Sequence, residues 1–317
     1  MALLTQVAAI QLELTIGRPQ SNIDKCLSKL EQAFRQGNQF VALPEFASTP
    51  ICLNAEVQEG ILFPHNAFVD GLLSLCCQYG AAAGGSYLEQ RGSRVYNTYA
   101  FVDQAGQLFK HDKDIPTMVE SAFYQGGSSD RLLNTANGPI GVAMCWEMIR
   151  TATVHQLRNR VDLIMAGTHW WTEPGWRFPA TLLRKAHRRN LALLTQAPST
   201  LSRLTGAPVV HASQIGQLKG RFAVTPGFSL PMSTQLLGQS QIVNNRGEVL
   251  AALSAEDGEG IISAHIEMSN AGASLQPTGH FWNAPMPWET RLLWAQQNAA
   301  CAPMYVNRHS GQSGLGH

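Results

Sequence analysis

Cys145 closes the run Gly141-Val142-Ala143-Met144 and is followed at once by Trp146-Glu147. A thiol at the end of an apolar strand, rather than in its middle, is delivered to the mouth of a sheet. Thiolates are good nucleophiles for acyl transfer. At an ordinary pKa of about 8.5, only roughly a few per cent is ionised at neutral pH, so a base or a cation is needed nearby. Two upstream strand ends offer them. Val41-Ala42-Leu43-Pro44 stops at Glu45, and Gly106-Gln107-Leu108-Phe109 runs on through Lys110-His111-Asp112-Lys113 to Ile115-Pro116. Glu45 suits a general base, because desolvation in a pocket raises a carboxyl pKa toward neutrality. Lys113 would favour the thiolate and hold an oxyanion. Lys110 is its rival, and an odd separation puts the two lysines on opposite faces of a regular strand. Each residue alone also has a plain structural explanation: a core cysteine, a loop carboxylate, a solvent-facing lysine. Together, in this order, they point to a Glu-Lys-Cys hydrolase.

The elements that must position them are legible in outline. Residues 7–14 form a buried strand. Ser21 is expected to cap a helix carrying Ile23, Cys26, Leu27, Leu30, Ala33 and Phe34 at helical spacing, and Gly37 stops it. Strands are expected over 39–43, 81–88, 94–102 and 107–113, with a helix over 67–79 and a turn at Gln104-Ala105-Gly106. Beyond Cys145, a helix through His155 and Leu157 leads to a strand over 161–166. A basic helix over 181–190 is then followed by a strand over 191–196. The late chain reads as β at 208–212, 239–243, 248–253 and 260–266, with a turn at Asn244-Asn245-Arg246-Gly247. Helix–strand alternation argues an α/β fold, and the hairpins argue mixed sheets.

The 317 residues are 44% hydrophobic and 14% charged, enough for a large core, with a net charge of +1. That balance gives no cause to expect a nucleic-acid or membrane partner. No basic, apolar leader opens the chain, and no run approaches the ~18 apolar residues of a spanning helix. The six cysteines (Cys26, Cys52, Cys76, Cys77, Cys145, Cys301) show neither zinc nor disulfide spacing, so a reducing cytoplasmic setting is expected, with no metal and no cofactor.

On these motifs the chain resembles the nitrilase superfamily, the carbon–nitrogen hydrolases. Leu43-Pro44-Glu45-Phe46, Lys113-Asp114-Ile115-Pro116 and Gly141-Val142-Ala143-Met144-Cys145-Trp146-Glu147 match its three signatures, and the second favours Lys113 over Lys110. Tyr96-Asn97-Thr98, Gly126-Gly127 and the segment 238–247 resemble further family segments, so the likeness covers about residues 5–268. The resemblance implies a four-layer α-β-β-α sandwich. It also implies an acyl-enzyme on Cys145, with Glu45 as base, Lys113 and the Trp146 N–H holding the oxyanion, and Glu120 as a second glutamate positioning substrate and lysine. Substrate contacts are expected from Trp146, Glu147, His169, Trp170 and Trp171, with Trp176 adding to the indoles. His211 either lines the pocket or is a core histidine.

Departures from the pattern are expected to matter. Asp114 would compete for the charge of Lys113. Met148-Ile149-Arg150 after the triplet leans away from a nitrile substrate, whereas Cys145-Trp146-Glu147 leans toward one. The expected reaction is a carboxamide going to acid and ammonia, with a nitrile substrate as the nearest alternative and a catalytically silent scaffold as the remote one. Residues 1–270 form the hydrolase domain. Residues 271–317 form an arm whose Phe281, Trp282, Trp288, Leu292, Leu293 and Trp294 need covering. The arm is expected on a partner subunit of a homodimer or higher homo-oligomer, with packing on its own subunit as the alternative. The tail over 308–317 is expected to be mobile.

Overall fold

Strand alternation decides which layer receives each side chain. In the first strand, Val7 and Ala9 point to one apolar layer, and Ala8, Ile10 and Leu12 to another. Both faces of such a strand are covered, which is why residues 7–10 are a continuous apolar run. The computed structural model describes residues 4–128, 130–174 and 180–310. In chain order its elements begin β1 (Leu4–Glu13), α1 (Pro19–Arg35), β2 (Phe40–Ala42), β3 (Ile61–Leu62), α2 (Ala67–Tyr79), β4 (Ala82–Arg91), β5 (Arg94–Val102) and β6 (Leu108–Asp112). They continue with β7 (Leu132–Thr135), β8 (Gly138–Met144), α3 (Thr151–Leu157), β9 (Leu163–Thr168), α4 (Ala180–Thr205), β10 (Val209–Thr225), β11 (Phe228–Val243), β12 (Val249–Ser254), β13 (Gly260–Glu267) and α5 (Trp288–Ser310).

The strands form two halves in the order β6-β5-β4-β2-β1 and β10-β9-β8-β7, with β13 beside β1 and β11-β12 beyond β10. Each half has a parallel centre flanked by antiparallel strands. The halves meet where β1 pairs β10 in parallel, Leu12 opposite Gln214. They then face each other through an apolar layer containing Val7, Phe40, Tyr99, Ile140, Val142 and Val210. α1 and α2 cover the outside of the first half, and α3 and α4 the outside of the second. This is the four-layer α-β-β-α sandwich.

Three local expectations give way to the structure. The first helix begins at Pro19, with Arg18 rather than Ser21 at its N-cap, because proline fits the first helical position, where an N–H would be unpaired anyway. Residues 191–196 are not a strand but the middle of α4. A short apolar run is ambiguous by itself. The buried residues Asn190, Leu194, Ala197, Leu201 and Leu204 recur at steps of four and three, which is helical spacing. The helix continues through Pro198, which has no N–H to give its i−4 carbonyl. The strands expected at 208–212 and 239–243 are the two ends of one long hairpin, β10–β11, that turns at Pro226-Gly227.

The C-terminal arm lies against its own chain. Trp282, Leu293 and Trp294 pack into the layer that holds α4 and Trp146. The side chains of Gln296 and Gln297 donate to the Ala223 carbonyl at 2.8 and 2.6 Å, and the Tyr305 hydroxyl accepts from the Val95 N–H at 3.0 Å. Trp288 and Leu292 stay outside, 67% and 60% exposed. Among the described residues, no helix is long and apolar enough to cross a membrane, and no group of three or more His, Cys, Asp or Glu side chains is disposed to hold a metal.

Candidate active site

Glu45 follows β2 by three residues, Lys113 follows β6 directly, and Cys145 follows β8 directly. The carboxylate and the ammonium therefore come from one half of the sandwich and the thiol from the other. All three side chains are buried. Lys113 Nζ donates to Glu45 Oε1 and to Glu120 Oε2, both at 2.8 Å. Glu45 Oε1 also accepts from Asn97 Nδ2 at 2.8 Å, and its Oε2 accepts from the His169 backbone N–H at 3.0 Å. Glu120 Oε2 further accepts from the Thr117 N–H at 2.7 Å and from the Tyr124 hydroxyl. Lys110 lies on the opposite face, paired with Glu89 at 2.5 Å.

These contacts set the protonation states. Burial pushes the Glu45 carboxyl up to about 7, against the pull of Lys113, with Glu120 adding to the rise. Burial opposes the charge on Lys113, but Glu120 and Glu45 outweigh it and hold the ammonium well above the ordinary lysine range. The Cys145 thiol is raised well above its ordinary value, by burial first and by Glu45 second, with Lys113 opposing. The resting state is therefore a thiol beside a lysinium, with a carboxyl poised near neutrality.

The backbone around this cluster is unusual. Of the five non-glycine residues with positive φ among those described, three adjoin the site: Phe46 at 61°, Met118 at 55° and Cys145 at 48°. Such conformations cost energy and persist where packing imposes them. Two close approaches depend on glycine. A Cβ on Gly167 of β9 would meet the Glu45 nitrogen at 2.9 Å, and one on Gly126 would meet the Asp114 carbonyl oxygen at 2.1 Å. The Gly127 N–H then donates to the Lys113 carbonyl at 2.9 Å.

The other sequence-predicted residues fall in different places. Trp146 forms an aromatic cluster with Trp170, Trp282 and Trp294, at ring-centre distances of 5.8, 5.5 and 6.4 Å. Trp170 Nε1 donates to Asn190 Oδ1 at 2.7 Å, and Trp171 pairs with Leu236 of β11. A cavity of about 20 Å³ beside Trp146 is lined by Met118, Trp170, Trp171, Thr290 and Leu293. The His169 ring accepts from the Ile51 N–H at 3.2 Å and packs edge-on against Phe46. Burial brings its pKa down to about 3, so it is neutral. His211 is buried in β10, hydrogen-bonded to Thr168 at 2.8 Å, and burial lowers it to about 4. The Glu147 carboxylate faces His111, Arg131 and two backbone N–H groups. Trp176 lies outside the described residues.

Asp114 does not compete for Lys113. Its carboxylate is taken by Arg150 and by Arg131, the latter at 3.2 Å, so the arginine that seemed a departure neutralises the aspartate that seemed another. Asn97 and Tyr124 reach the cluster without having been singled out as site residues. Asn97 stands in the Tyr-Asn-Thr strand segment, and Tyr124 lies one helical turn beyond Glu120, a spacing that could have found it.

The carbon-nitrogen hydrolase family model matches residues 6–276. An aliphatic nitrilase of Rhodococcus rhodochrous is 24% identical over 304 residues, covering 87% of this chain and 79% of the relative. The omega-amidase NIT2 of Bos taurus is 28% identical over 164 residues, covering 48% and 58%. The crystal structure of Saccharomyces cerevisiae Nit3, a member of branch 10 of the nitrilase superfamily, superposes with a TM-score of 0.62 at 20% identity, covering 83% of this chain and 90% of that one. With the family match spanning most of its length and the same fold beneath it, this chain belongs to the nitrilase superfamily and is a carbon–nitrogen hydrolase.

Proposed function

We propose that the protein hydrolyses a carboxamide to its acid and ammonia through a thioester on Cys145. The observation that carries this is the buried Glu45–Lys113–Glu120 network beside a thiol held at positive φ. Glu45 takes the Cys145 proton as sulfur bonds to the amide carbon, and the carbonyl electrons move to oxygen. Lys113 Nζ and the Trp146 N–H stabilise that oxyanion. As it collapses, the C–N bond breaks, Glu45 returns the proton to nitrogen, and ammonia leaves. A water then gives its proton to Glu45 and its oxygen to the thioester carbon, which releases the acid and restores the thiol. A carboxyl near 7 serves as both base and acid in this cycle. Glu120 orients Lys113, and Asn97 orients Glu45.

An apolar cleft of about 690 Å³ between α4, β10–β11 and α5 is lined in part by Phe222, Leu230 and Trp288. It shares Glu173, Thr290 and Leu293 with the small cavity beside Trp146. This favours a substrate with a sizeable apolar acyl group. A second reading, nitrile to acid and ammonia, is supported by the Cys145-Trp146-Glu147 triplet and by nitrilases aligned over 82–87% of the chain. Ammonia release across matched aliphatic and aromatic amides and nitriles, with Cys145→Ala as the background, tests both. Amide turnover with a mass adduct on Cys145 supports the first, and turnover of nitriles alone moves the assignment to the second. Equality of wild type and Cys145→Ala on every compound, with no adduct, removes both.

Homo-oligomerisation and a cytoplasmic setting belong to this proposal. All six cysteines are unpaired, and Phe281, Trp288 and Leu292 of the arm are 43%, 67% and 60% exposed, leaving apolar surface for a second copy. Sedimentation is expected to give a species larger than one chain, and Leu292→Glu, outside the cleft, to shift it toward the monomer. A wild type that sediments as one chain of 34.5 kDa would refute the assembly.

A further inference from the structure

The geometry points to Glu147 as a positioning residue that ties the nucleophile strand to the lysine strand, and not as a group that touches substrate. Resting on the hydrolase reading above for its kinetic consequence, this follows from which N–H groups the carboxylate takes. Oε2 accepts from the Met144 N–H at 2.9 Å, one residue before Cys145. Oε1 accepts from the Asp114 N–H at 3.0 Å, one residue after Lys113. These two backbone sites lie at the ends of β8 and β6, which belong to opposite halves of the sandwich and share no ladder bond. One rigid, fully buried carboxylate therefore spans the gap between the two halves at the place where sulfur and ammonium must be in register.

A charged acceptor makes the stronger bond to each N–H, so the bridge depends on Glu147 staying ionised. Burial works against that charge, and Arg131 and His111 more than offset it. His111 Nε2 lies 3.2 Å from both carboxylate oxygens, and Arg131 Nη1 lies 3.5 Å from Oε1. The same guanidinium reaches Asp114 Oδ2 at 3.2 Å, and the Arg131 carbonyl accepts from the Val142 N–H of β8 at 2.9 Å. Arg131 thus holds the bridge from both sides. Arg150, the C-cap of the 3-10 turn Cys145–Ile149, completes it by pairing with Asp114. The carboxylate is consumed by these contacts and offers nothing to the cavity beside Trp146.

Glu147→Gln tests the idea, because an amide has one acceptor oxygen and must turn its NH2 toward either Met144 or Asp114, donor against donor. We expect kcat to fall about 100-fold with KM within about threefold, the cost of a misplacement of order 1 Å. Alkylation of Cys145 by iodoacetamide, followed by mass spectrometry, is expected to slow by about tenfold or more as the lysinium drifts from the sulfur. Leu30→Ala, a cavity in the helix layer on the far side of the first half, controls for lost stability alone and is expected to alkylate at the wild-type rate. Glu147→Gln protein that alkylates and turns over like that control would overturn the proposal. A wild type that alkylates at Cys145 yet hydrolyses no amide or nitrile counts against the reaction proposed above, and the alkylation comparison still decides the role of Glu147. Hydrogen exchange on the wild type gives a check that needs no variant. The Met144 and Asp114 amides should exchange as slowly as the central strands, and fast exchange at either would sink the bridge.

Discussion

Lys113→Met is expected to end turnover and to remove about 3–5 kcal/mol of stability, the usual cost of taking one partner out of a buried ion pair. The lysine is fully buried, and its ammonium is the shared partner of Glu45 and Glu120. Without it, two carboxylates face each other in a dry space, and the oxyanion loses its charged donor. A factor of roughly 10³–10⁴ in kcat follows from losing that donor together with its support of the thiolate. The pH dependence has a definite sign. In the wild type the folded pKa of Lys113 is raised, so its contribution is fully present below the ordinary lysine value and is lost as pH rises through the folded one. In the variant the Glu45 carboxyl, already raised by burial, has also lost the opposing pull of Lys113, so stability should recover as falling pH protonates it. Urea midpoints at about pH 6 and about pH 8 check this, since the gap to wild type should narrow at the lower pH. An equal gap at both pH values, with activity within tenfold, would show that Lys113 is not the keystone of the network.

Glu45→Gln is expected to lower kcat by roughly 10²–10⁴, because a glutamine cannot take the proton of Cys145 or return it to the leaving nitrogen. In the wild type, kcat/KM should fall as pH drops through about 7, where burial has placed the Glu45 carboxyl. Below that value Glu45 is protonated in the free enzyme and the thiol keeps its proton, so activity declines toward acid. Asn97 donates to Glu45 Oε1 and favours the ionised form, so Asn97→Leu should move the acid limb to higher pH. The limb should disappear in Glu45→Gln. If the variant retained the wild-type acid limb, another group would be the base.

The strand ends carrying Glu45, Lys113 and Cys145 were legible because apolar runs that stop at a polar residue show where a sheet opens, and chain order did the rest. Glu120 was legible through resemblance alone. What stayed hidden depends on which strands become neighbours. Asn97 lies 52 residues from Glu45 and meets it across the sheet, and the need for glycine at position 167 appears only when the Glu45 loop presses on β9. The pairing of Asp114 with Arg150 and Arg131 was hidden for the same reason, so an aspartate expected to compete for the charge of Lys113 belongs to a separate ion network. Local ambiguity explains the rest. Leu191 to Gln196 is too short a run to separate strand from helix, and α4 runs on through Pro198 two residues later. The Pro226-Gly227 turn, with alternating burial at Met232, Thr234 and Leu236, was a readable hairpin signal that the shorter strand expectation passed over.

In the proposed reaction the sulfur comes from one half of the sandwich and its proton acceptor and cation from the other, so neither half alone holds the full set. Reactivity is created at the seam, only when the apolar layer between the halves has closed and the bridging carboxylate has engaged both strand ends. In a partly unfolded chain the Cys145 thiol is separated from Glu45 and Lys113, so the full set comes together only in completely assembled molecules.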